Sequence, residues 1–188
     1  MLKKQWYEIV APKAFEEKVV GETLANDPKQ LIGRTIEVNV IDLLGDYSKF
    51  YFKIKFQAEK IEGSKIFTKF VGHECMRERV YRMVQRHVRR VDCIQDVNTK
   101  DGVKVRIKTI FVLASRVGTS LKDKSRKKAK EIVEKVVKEK TLDEFVKMII
   151  SGELQMMIKK DCSKIYPVGN VEIRKTEVLK EKKKAANE

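Results

Sequence analysis

Two histidines and three cysteines are the residues to which catalysis or metal binding would turn first. A thiol becomes a nucleophile when a neighbouring base or cation lowers its pKa. A structural zinc site needs ligands at short, repeated spacing. His73 and Cys75 stand two apart, Cys93 and Cys162 lie far off, and no CxxC occurs, so the spacing defines no metal site. His87 falls with apolar residues at helical spacing, which favours packing over a general-base role. Cys93 has no base marked for it. Asp92 and Asp96 are the carboxylates a metal-dependent nuclease would use, whereas Asp101 precedes Gly102 in a turn signal. No glycine-rich phosphate loop is present. These residues predict no enzyme, no metal and no cofactor, with an RNA-acting enzyme (nuclease or modifying) kept as the alternative.

The other chemistry is electrostatic. The 188 residues carry 42 Lys+Arg against 27 Asp+Glu, a net charge of +15. Residues 61–130 hold 19 basic and 7 acidic side chains, so +12 of the excess falls in that stretch. A block of one sign is the footprint of a phosphate-binding face. Arg77, Arg79, Arg82, Arg86, Arg89 and Arg90 follow one another with no lysine between them. Guanidinium groups grip phosphates bidentately, whereas ammonium groups act as point charges. A second cluster comprises Arg116, Lys122, Lys124, Arg126, Lys127, Lys128 and Lys130, opposed by Asp123 alone. Lys3 and Lys4 beside Trp6 and Tyr7 complete the RNA-binding set, and Tyr51 is the best candidate to stack on a base.

The elements that must position these groups are read from periodicity. Residues 1–30 read as an irregular N-terminal arm, residues 31–179 as one α+β domain and residues 180–188 as a charged, disordered tail. Ile36, Val38 and Val40 alternate with polar residues, as do Phe50, Phe52, Ile54 and Phe56, and Ile66–Val71 follows a turn. Three strands with short connections pair antiparallel. Their polar face carries Lys53, Lys55, Lys65 and Lys69. From His73 the period becomes 3.6 through Met76, Val80, Met83, Val84, His87 and Val88, which predicts an Arg-rich helix. Val91–Asn98 and Val103–Ala114 form a hairpin around Asp101-Gly102, with Lys104, Arg106 and Lys108 on one face. Residues 115–130 read as a basic loop running into a helix capped at Thr119 or Ser120, mobile until RNA orders it. Thr141 and Glu144 make a capping box, and Gly152 ends that helix. A short helix around Leu154–Ile158 and a strand through Val171–Val178 close the C-terminal region. The fold class is α+β, mostly antiparallel, with closure of the sheet into a barrel as an expectation. No apolar run reaches membrane-spanning length, and the few unpatterned cysteines point to a reducing cytoplasm.

Four segments, in order, resemble a known family: Lys4-Gln5-Trp6-Tyr7-Glu8-Ile9-Val10-Ala11-Pro12, Leu31–Val38 with Asp42-Leu43, Asp96–Gly102, and Ile165-Tyr166-Pro167 with Val171–Lys175. The chain is similar along almost its whole length to the archaeal and eukaryotic small-subunit ribosomal proteins of the S-three-Ae (S3Ae, or e-S-one) family. That resemblance implies an archaeal-type structural component of the small subunit. It implies small-subunit ribosomal RNA and neighbouring platform proteins as partners, with messenger RNA near the exit as a further contact. A free-standing RNA-binding module remains the other alternative.

Overall fold

The computed structural model describes residues 4–179. Its contacts divide the chain into two compact units, residues 1–79 and 80–188. The tail expected over residues 180–188 lies outside the described residues.

In the first unit the expected irregular arm is two strands. Strand β1 (Gln5–Val10) pairs antiparallel with β2 (Val19–Ala25) and parallel with β5 (Lys65–Cys75). The alternation that betrays β1 is short and stops at Pro12, so a window over residues 1–30 misses it. Tyr7 and Ile9 nevertheless point inward, onto Leu31, Ala58 and Ile66. Strand β3 (Thr35–Asn39) runs into helix α1 (Val40–Leu44) and pairs with β4 (Phe52–Glu62), which pairs in turn with β5. Phe52, Ile54, Phe56 and Ala58 are buried while Lys53, Lys55 and Gln57 are not, as alternation requires. The order is β2-β1-β5-β4-β3.

The second unit is a three-stranded antiparallel array under helices. Strand β7 (Lys104–Leu113) lies between β6 (Arg89–Asn98) and β8 (Val168–Val178). Helices α3 (Thr119–Glu139), α4 (Leu142–Ser151) and α5 (Glu153–Cys162) cover one face. Val91, Val105, Ile107 and Phe111 meet Ala129, Val133, Val137, Phe145, Ile149 and Ile158 there. The α+β class and antiparallel majority hold, but the barrel does not: within each unit the described pairings leave an open sheet.

The Arg-rich helix is much shorter than its period suggested. Helix α2 spans Arg77–Met83. His73 and Cys75 remain in the β5 ladder, opposite Ile54 and Phe52. At the other end His87 adopts φ 67°, and β6 starts at Arg89. Apolar residues leaving one strand and entering the next mimicked a helical period. The part that is helical packs Val80 and Met83 on Ile110.

The local signals at Thr141, Gly152 and Asp101 act as read. Thr141 accepts from the Glu144 amide while the Glu144 carboxylate accepts from the Thr141 amide, a complete capping box. Gly152 ends α4 at φ 90°, a conformation that costs a side-chain-bearing residue energy. Asp101 exceeds its expected turn role: its Oδ2 accepts from the Leu142 amide at 2.9 Å, at the start of α4. No described helix is long and apolar enough to cross a membrane.

Candidate nucleic-acid interface

Cross-strand register decides which cations are available. Lys55 faces Glu37 across β3–β4 and bridges Glu37 at 2.8 Å and Glu74 at 2.9 Å. The hydrogen bonds to Glu37 and then Glu74 raise its pKa. Lys69 pairs with Glu59 at 3.1 Å. In the second unit Arg106 stands opposite Asp96 and binds it through Nε at 2.7 Å and Nη2 at 2.8 Å. Glu177 takes Lys175 at 2.6 Å and Lys108 at 3.1 Å. The basic sheet faces expected from alternation are therefore largely neutralised by carboxylates on neighbouring strands.

In the first unit Lys4 is exposed just ahead of β1, and Lys3 lies outside the described residues. Arg77 is exposed on α2. Arg79 is half-buried with its guanidinium carbon 4.7 Å from the centroid of Tyr51, a cation–π contact. Tyr51 also meets the Phe50 ring edge-on at 5.6 Å, so the ring offered as a stacking platform already packs against its own chain.

The second unit gathers the rest. Arg82 and Arg86 are exposed, with no carboxylate partner among the described residues. Arg89 is half-buried and its Nε lacks a hydrogen-bond acceptor. Arg90 forks onto Asp92, Nε at 2.9 Å from Oδ2 and Nη2 at 2.8 Å from Oδ1. Arg116 is exposed ahead of α3. The expected loop over 115–130 is helix from Thr119 onward, because Ser125 and Ala129 bury with Ile132 and Val133 on one face. Lys124, Lys127 and Lys128 occupy the opposite, exposed face, with Lys122, Arg126 and Lys130 on the flanks. Lys128 reaches Glu131 at 3.6 Å. Arg126 turns back, its Nη1 to Asp123 at 2.9 Å and its Nε to the Asp92 carbonyl at 3.2 Å. Asp92 thus joins both basic segments: its carboxylate holds Arg90 and its carbonyl holds Arg126.

Helix α3 begins after Gly118, so neither Thr119 nor Ser120 caps it as expected, and no side chain does so.

The residues considered for catalysis are otherwise engaged. Asp92 and Asp96 bind arginines. Cys93 and Cys162 are buried and donate to successive carbonyls of α3, Arg126 at 3.9 Å and Ser125 at 3.8 Å. Burial pushes their thiols up to about 12 and about 11 respectively, away from nucleophilic use. His73 is buried edge-on to Phe52 at 5.6 Å. His87, expected on an apolar helix face, is exposed in the turn after α2. Sequence reasoning passed over Tyr81, an exposed aromatic on α2 between Arg79 and Arg82. Its place among arginines was the available signal.

Among the described residues the molecule is a basic α+β protein in which Lys55, Lys69, Arg106, Lys108 and Lys175 of the strands are ion-paired, while exposed cations stand on α3, at Arg82 in α2 and at Arg86 beyond it. Residues 1–182 match the Ribosomal S3Ae family, and the chain belongs to it. It is 40% identical to the small ribosomal subunit protein eS1 of Methanocaldococcus jannaschii, over 98% of this chain and 83% of that one. The eS1 proteins of Sulfurisphaera tokodaii and Methanopyrus kandleri are each 40% identical, over 94% and 95% of this chain and 92% and 86% of theirs.

Proposed function

We infer that the chain is a structural constituent of the small ribosomal subunit of an archaeal-type ribosome, working in the cytoplasm. The family match along nearly the whole chain carries this reading. The geometry supports a finer one, in which small-subunit RNA lies on the second unit against Lys124, Lys127 and Lys128 of α3, Arg82 in α2 and Arg86 in the turn after it. Asp92 keeps Arg90 and Arg126 oriented, so the two segments bind as one preorganised group. Contacts are to phosphates, and recognition follows RNA shape. Lys4 and Arg77 of the first unit join the binding set on charge and exposure. A platform position near the messenger exit, with neighbouring ribosomal proteins and messenger RNA as contacts, follows from the family resemblance.

Fractionation tests the reading. The chain should co-sediment with small subunits after a moderate-salt wash. Its RNA affinity should fall by about 0.7–0.9 log units per log unit of salt for every phosphate neutralised. A chain that stays at the top of the gradient, or an affinity flat with salt, would overturn it.

A further inference from the structure

Tyr81 has no role in the fold. Its neighbours Val80 and Met83 seat α2 on Ile110, and that seating turns Tyr81 away from the core, leaving it 72% exposed. Arg82 and Arg86 are exposed, and residues 79–91 contain no acidic side chain, Glu78 standing just before that stretch and Asp92 just after it. Tyr47 is more exposed, at 80%, but follows Asp46 and has no arginine near it in sequence. A large ring left in water beside guanidinium groups satisfies both requirements of a single-strand platform: a π-face for the base and cations for the flanking phosphates.

We propose that Tyr81 stacks on an unpaired base of RNA, with Arg82 and Arg86 holding the adjoining phosphates. Helix α2 and the turn after it would then read a loop, bulge or end, while α3 tracks backbone. A base stacked within a duplex offers no free face, so this is a site for unpaired RNA. The proposal rests on the RNA-binding reading of the second unit and adds the class of RNA it prefers.

Full-length protein is titrated by fluorescence anisotropy against a labelled single-stranded RNA 12-mer and a duplex RNA of equal length. Tyr81→Ala should weaken single-strand binding by about 5- to 150-fold, the effect of removing one stacked base. Duplex affinity and the salt slope should stay unchanged. Tyr81→Phe should bind like wild type, because the ring is what stacks. Equal single-strand affinity for Tyr81→Ala and wild type, in a protein whose binding still depends on salt, overturns the proposal while leaving the basic-face reading intact. An equal loss on both RNAs overturns it too, since that is a loss of backbone binding. Unchanged affinity for both RNAs without co-sedimentation assigns Tyr81 to a protein neighbour and overturns it. A wild-type chain that binds neither RNA overturns the basic-face reading, and this proposal with it.

Discussion

Asp92 shows how one side chain can look catalytic in sequence and prove to be an organiser. In a basic stretch it invites a metal, yet it spends its carboxylate on Arg90 and its carbonyl on Arg126. The cysteines behave similarly. With Cys93 and Cys162 pushed up by burial and Cys75 also buried, native protein at pH 8 should release less than one thiol equivalent to a disulfide reagent. Denatured protein should release 3. Fast native labelling of Cys93 would contradict the buried-thiol account. The carboxylates give a pH prediction. Asp96 is held low by its hydrogen bond to Arg106, and Glu177 by Lys175 and Lys108. A depressed folded pKa contributes stability above the unfolded value and loses it as pH falls through the folded value. Stability in urea should therefore be flat near neutrality and fall below about pH 4. Asp96→Asn should flatten that acid limb, and an unchanged limb in the variant would refute the pairing.

At the scale of elements, short-range signals were legible and long-range ones were not. Thr141 with Glu144, Gly152, Asp101-Gly102 and the Phe52–Phe56 alternation each depend on neighbours in sequence. The parallel pairing of Glu8 with Lys65 does not, and residues 1–30 consequently read as irregular. The helix expected from His73 to Val88 failed because two strand ends and a turn reproduced its period. The candidate interface was legible as charge but not as availability. Whether Lys55 is free depends on what stands across the ladder, where it meets two carboxylates, whereas Lys124 stands exposed on helix α3. Two substitutions test the local signals by urea denaturation with an unchanged m-value. Thr141→Ala should cost about 0.5–2 kcal/mol. Gly152→Ala, forced into φ 90°, should cost about 1–2 kcal/mol.

For the whole molecule, net charge is a poor guide to where a polyanion binds. The useful quantity is charge left after self-pairing. Replacing Lys124, Lys127 and Lys128 together by Gln should reduce the salt slope of RNA binding by about 0.7–0.9 for each phosphate no longer neutralised. Replacing Lys55 and Lys69, which already hold glutamates, should leave it nearly unchanged. Equal effects from the two sets would mean that residual charge does not locate the interface.

The parallel pairing of β1 with β5 also sets a timetable. Synthesis delivers β1 and β2 first, but the strand that covers the open edge of β1 emerges after residue 65. At about 5–20 residues per second, the nascent hairpin waits on the order of 2–8 s with one edge unsatisfied. The first element made is thus among the last to be sealed, because β4 and β5 can close their own hairpin beforehand. In pulse-labelled hydrogen exchange during refolding, amides of β4 and β5 should gain protection before those of β1. The reverse order would show that the amino-terminal hairpin nucleates this unit.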